Sequence, residues 1–173
     1  MKGCLVLKGQ DIVVLSVIMD SRFSGVPYAE LGCRACLSVS ETHAAVRRLR
    51  EAALIGSERR LLKRNVIEFL VHGLRYVFPF RQTGIMARGI PTAFAAPVAE
   101  GVFAVAGVCP VWRLADGDTI GLAVEPLYET VPNAAAKDQG VYDRLAVIDM
   151  LRGGRLRERQ FAEGKIKEMI AQH

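Results

Sequence analysis

Between Tyr28 and Leu54 the chain reads YAELGCRACLSVSETHAAVRRLREAAL. Two short amphipathic helices joined by a tight turn are the arrangement that this pattern most readily encodes. Pro27 opens the first helix at a position where a missing N–H costs nothing, and Leu31 and Ala35 then fall one turn apart on one face. Gly32 is small where two helices must cross closely. Ser38 and Ser40 are candidate N-caps of the second helix, and Glu41 follows Ser38 by three residues, the spacing of a capping box. Along that helix Thr42, Ala45, Val46, Leu49, Ala52 and Ala53 recur at helical intervals, which leaves Glu41, His43, Ala44, Arg47, Arg48 and Arg50 for other faces.

Upstream, the apolar run DIVVLSVIM (11–19) fits a first helix over about residues 8–20, packed across the other two. Downstream, the stretch after Leu54 is too short for a full two-stranded wing, so a stunted one is expected, with Arg59 and Arg60 at its tip. The segment 65–76 (NVIEFLVHGLRY) then spaces Val66, Phe69, Leu70 and Leu74 as a linker helix that Gly73 weakens or bends.

The phrase in residues 28–54 resembles the winged-helix regulators of the MarR type. Tyr28, Ala29, Glu30, Leu31, Leu37, Ser38, Ser40, Val46 and Leu49 stand where that family's pattern expects them, and Gly32 replaces a small alanine. Four positions depart from it. Cys36 occupies the place of a turn glycine, Thr42 of an apolar valine, Ala44 of a basic DNA-contacting residue, and Ala53 of a helix-ending glycine. Cys36 therefore implies a strained positive-φ turn, and Ala44 removes one contact. The resemblance spans at most residues 8–75 and implies a DNA reader. Segments such as FLVHGLRYVFP, RGIPTAFAAPV and EPLYETVPNAA are similar to a group of uncharacterised bacterial helix-turn-helix proteins, some encoded beside nucleotidyltransferase-like genes. That similarity, with a looser one to winged-helix antitoxins of the abortive-infection type, implies a regulator or a toxin-binding partner protein.

Charge is a separate argument for the same reading. Residues 43–64 hold Arg47, Arg48, Arg50, Arg59, Arg60, Lys63 and Arg64 against Glu51 and Glu58, a net charge of +5 that equals the excess of the whole chain. Concentrated there, it forms the footprint of a phosphate-binding surface. Ser38 and Ser40 would cap the recognition helix near phosphate, with His43, Arg47 and Thr42 reaching base edges. Arg48, Arg50, Arg59, Arg60, Lys63 and Arg64 would neutralise phosphates.

From Phe78 onward the prolines at 79, 91, 97, 110, 126 and 132, with runs such as AFAAPV, GVFAVAGV and TIGLAVEPLY, predict short strands and ordered loops. The pair Val111–Ala115 and Thr119–Val124 flanks Asp116-Gly117-Asp118, which predicts a hairpin. Two helices, 138–151 and 155–170, close the chain, the first burying Val141, Leu145 and Ile148. The expected architecture is α+β, with a winged helix-turn-helix domain and linker helix over 1–76 and a dimerisation, sensing or partner-binding α+β domain over 77–173.

Other chemistries find little support. Cys33 and Cys36 form a C-x-x-C without a second pair, and with Cys4 and Cys109 read as small core residues rather than zinc ligands or a disulfide. No P-loop, nucleophile elbow, dinucleotide fingerprint or H-E-x-x-H occurs, so neither catalysis nor a cofactor is expected. The apolar stretch 93–111 is broken by Pro97, Glu100 and Pro110, and a signal-peptide pattern is lacking at the start, which together predict a cytoplasmic protein without membrane contact. His72, Arg81, Arg88, Thr92, Trp112 and Tyr128 are candidates to line a pocket for an anionic ligand or a partner's acidic loop. The expected function is a sequence-specific, dimeric and autoregulatory regulator on double-stranded DNA. The alternative is an antitoxin or adaptor that grips a partner encoded nearby through its second domain.

Overall fold

The computed structural model describes residues 6–23, 25–104 and 107–173. Its centre is α1 (Gly9–Ile18), every residue of which from Asp11 to Ile18 is buried. A helix apolar on all sides belongs inside a core, and α1 is enclosed there by α2 (Tyr28–Ala35), α3 (Val39–Glu51) and α7 (Gln139–Gly153). Cys4 lies outside the described residues.

The turn between α2 and α3 is tight because Cys36 adopts φ 54° and ψ 40°, a left-handed cap, and the Leu37 amide donates back to the Gly32 carbonyl at 2.8 Å. Gly32 is needed for contact as well. A Cβ there would lie 2.7 Å from the Leu37 carbonyl oxygen and 2.8 Å from the Thr42 hydroxyl. The Ser38 and Glu41 capping box closes the start of α3: the Glu41 amide donates to Ser38 Oγ at 3.2 Å, and the Ser38 amide donates to Glu41 Oε2 at 2.9 Å. At the other end Ala53 takes a positive φ of 53°, and its carbonyl accepts a 2.8 Å hydrogen bond from Asn65 Nδ2.

A minimal hairpin follows α3. Ile55 and Leu61 form a single antiparallel bridge, with Gly56 donating to the Arg60 carbonyl and Leu62 to that of Leu54. Beyond it one helical column runs through α4 (Lys63–Glu68), a π-turn at Phe69–Gly73 and α5 (Leu74–Val77). Val66, Leu70 and Leu74 point inward, and Gly73 marks the end of the irregular turn.

The second half departs from the hairpin expectation. Strands β1 (Gln82–Pro91), β2 (Pro110–Arg113) and β3 (Thr119–Val124) close on one another; β1 is antiparallel to both partners, whereas β2 and β3 run parallel. The Asp116-Gly117-Asp118 turn therefore carries the chain from one flank of β1 to the other. Glycines allow this crossing: a Cβ on Gly89 would lie 1.9 Å from the Trp112 carbonyl oxygen, and one on Gly117 would lie 2.3 Å from that of Gly89. The AFAAPV run forms two 3-10 turns, Ala93–Ala95 and Pro97–Ala99, rather than a strand, and the GVFAVAGV run lies partly outside the described residues.

A helix that the proline pattern concealed, α6 (Val131–Lys137), precedes α7, and α8 (Leu156–Ala171) packs along α7 through Ala162, Ile166 and Ile170. Leu156, at the start of α8, is exposed. The segments read as two domains share one hydrophobic cluster, which runs from Ile12 through Leu49 and Leu74 to Trp112, Leu145 and Ile166.

Candidate functional site

The exposed side of α3 and the hairpin beyond it carry the basic residues. Ser40, His43, Arg47 and Arg50 are exposed at intervals of three, four and three residues, which aligns them as one stripe along the helix. Ser38 is exposed, with its hydroxyl engaged by Glu41 Oε2 at 2.6 Å. That hydrogen bond, then the Ser38 amide, hold the Glu41 carboxyl below the usual glutamate range. Arg60, Lys63 and Arg64 are exposed beside the stripe's far end in sequence, and Lys63 Nζ reaches the Ala171 carbonyl at 3.4 Å.

Two of the residues expected at this face are turned away from it. Arg48 is 6% exposed and grips Asp11, itself 0% exposed, through Nη2 to Oδ1 at 2.6 Å and Nε to Oδ2 at 2.8 Å. Its charge is consumed inside the core, where it balances an acid on α1. Thr42 is fully buried, and its hydroxyl donates to the Ser38 carbonyl at 2.8 Å against the Gly32 crossing. Neither is available to a phosphate or a base edge.

Arg59 takes a third role. Its guanidinium donates to the Val26 carbonyl and stands 4.9 Å over the Tyr28 ring, whose centroid is 4.7 Å from that of His43. The hairpin tip, the start of α2 and the exposed stripe are thus tied through one aromatic ring. Glu58 and Arg59 both hold positive φ, 54° and 61°, so the tip has a defined and strained shape. Tyr28 was legible in sequence only as a pattern residue, because its ring contacts, His43 and Arg59, lie fifteen and thirty-one residues away.

The six residues expected to line an anion pocket do not converge. Thr92 and Trp112 are fully buried and donate to the same oxygen, Asp149 Oδ2, at 2.9 and 2.8 Å. Arg152 pairs with the other oxygen at 3.2 Å. Burial pushes the Asp149 carboxyl above its ordinary range, against the pull of Arg152, Thr92 and Trp112. This cluster locks the barrel to α7. Tyr128 instead donates to Glu41 Oε1 at 3.4 Å, and Arg88 donates to the Gly117 carbonyl at 3.1 Å. His72 is exposed on the π-turn and Arg81 is exposed just before β1. Asp149 was missed because an acid within an apolar helical run carries no sequence signal of its partners.

Cys33 is exposed and Cys36 half-buried, both as free thiols. No helix among the described residues is long and apolar enough to cross a membrane. Comparison of the chain with protein-family models, curated proteins and solved structures found no match.

Proposed function

We propose that this protein is a sequence-specific DNA-binding regulator whose winged helix-turn-helix is built by α1, α2, α3 and the one-bridge hairpin. The observation that carries the reading is the solvent-facing stripe of Ser40, His43, Arg47 and Arg50 on a helix whose opposite face is sealed by the core. A helix entering a major groove needs such a stripe, with donors suited to guanine and to phosphate oxygens. His43 and Arg47 read base edges, Arg50, Arg60, Lys63 and Arg64 neutralise phosphates, and Ser38 and Ser40 lie at the helix start beside the backbone. Arg59 fixes the hairpin tip through Tyr28. Ile85, Met86 and Ile120 are exposed on the barrel and support a protein contact there. Pairing of two copies would present half-sites about one helical turn apart. The same patch supports the adaptor or antitoxin reading, in which a partner occupies it.

Fluorescence anisotropy with the gene's own upstream duplex and a scrambled duplex, titrated across salt, tests the proposal. Preferential binding that persists at physiological salt is expected of an autoregulatory reader. Arg47→Ala should abolish the preference, whereas Lys63→Ala should weaken both duplexes alike. Equal, salt-fragile binding of the two duplexes would reject specific recognition and favour the partner-binding alternative.

A further inference from the structure

We propose that the cavity between the barrel's 114–119 turn and the 94–103 segment, with Tyr142 of α7 in its wall, binds a small organic cation with an apolar body. It encloses about 640 Å³, within the size range of small-molecule sites. Ile90, Phe94 and Tyr142 contribute apolar and aromatic wall. The Tyr142 hydroxyl donates to the Pro91 carbonyl at 2.6 Å, which fixes the side chain in the wall and uses its only proton. Phenyl and phenol faces attract cations and tolerate alkyl chains.

The lining's charge has one sign. Glu100, Asp116 and Asp118 contribute carboxylates, all three are exposed, and none forms an ion pair among the described residues. Among the described residues no lysine, arginine or histidine lines the cavity. Arg88 reaches the nearby Gly117 carbonyl without joining the lining, and so offsets only part of that negative charge. On a chain of net charge +5 this is a local reversal of sign, complementary to a cation and repulsive to carboxylate or phosphate ligands. An aromatic wall and exposed carboxylates without ion pairs in one lining fit an aryl-alkyl ammonium, its apolar body against the rings and its charge toward the carboxylates. No residue of α3 or the hairpin contributes to the cavity, so the proposal stands independently of DNA binding.

Isothermal titration calorimetry of the full chain with 4-phenylbutylammonium, 4-phenylbutyrate and 4-phenylbutanol tests it. The ammonium should bind at least about tenfold more tightly than the carboxylate. In the double variant Asp116→Ser, Asp118→Ser its affinity should fall about tenfold, while the alcohol's is unchanged. Both positions are exposed in a turn, so the fold is retained, which circular dichroism checks. Equal affinity for ammonium and carboxylate, an unaltered ammonium affinity in the double variant, or no binding of the ammonium at millimolar concentration would each overturn the proposal.

Discussion

Arg47 and Arg48 leave α3 in opposite directions, one into solvent and one onto Asp11. Because Asp11 is fully buried, Arg48→Ala would strand a carboxylate in the core, which typically costs about 3–5 kcal/mol. Arg47→Ala removes no internal partner, and its effect on stability should stay within about 0.5 kcal/mol. Urea unfolding of the two variants checks this, and comparable losses from both would contradict the burial of Arg48. Helical spacing placed Arg48 one step from the Ala45 and Leu49 stripe, and charge alone assigned it to solvent. The acid that draws it inward sits thirty-seven residues earlier, at the head of an otherwise largely apolar run. Cys36 was more legible, since it stands where the resembled pattern has a turn glycine and adopts positive φ, whereas Ala52 and Ala53, read as part of the apolar stripe, lie beyond α3 and are exposed, Ala53 with positive φ.

At the scale of elements, α3 was readable because its signals are local: a capping box at its start and a 3.6-residue stripe along it. The same locality gives it a pH dependence. Glu41 titrates below its ordinary value of about 4.5 because its charged form accepts from the Ser38 hydroxyl and amide. A carboxyl depressed by folding contributes stability that is fully present above the unfolded value and is lost as pH falls through the folded one. Thermal melts of the wild type and Glu41→Gln should therefore differ at pH 7 and draw together as the pH is lowered through the range below 4.5; a gap that does not shrink on acidification would place the contribution elsewhere. The strands were less legible. β1 is exposed along most of its length and shows no alternation, while Pro132, read as a breaker, lies in the first turn of α6, where proline is accommodated. The β2–β3 hairpin expectation followed a sound turn signal, but closure of the sheet depends on Gly89 and Gly117 meeting across it. Gly89→Ala should cost about 1–3 kcal/mol by overpacking against backbone, whereas Gly164→Ala, on open helix surface, should stabilise by up to about 1 kcal/mol. Thermal denaturation of both variants checks the contrast.

Across the whole molecule the halves are joined by core and by polar ties, so they should unfold as one. α7 packs against α1 in the first half and against α6 and α8 in the second, and Trp112 belongs to the same cluster as Ile12. Arg34 reaches Asp138 at 2.9 Å, and Asp138 Oδ1 in turn accepts from the Val141 amide at the start of α7. Tyr128 closes on Glu41. None of these long-range pairs has a sequence signature, which is why the composition shift near Phe78 reads as a domain boundary. The protein supplies its own reporters for a test. Trp112 is the single tryptophan and sits in the barrel beneath Asp149, so its fluorescence follows the second half, while far-UV circular dichroism follows helices from both. In urea the two signals should share one midpoint. Asp149→Ala, which strands the buried Arg152 guanidinium, should shift both midpoints together by an amount equivalent to about 3–5 kcal/mol. A tryptophan transition that moves while the main helical transition stays in place would instead show that the barrel melts as a separate unit.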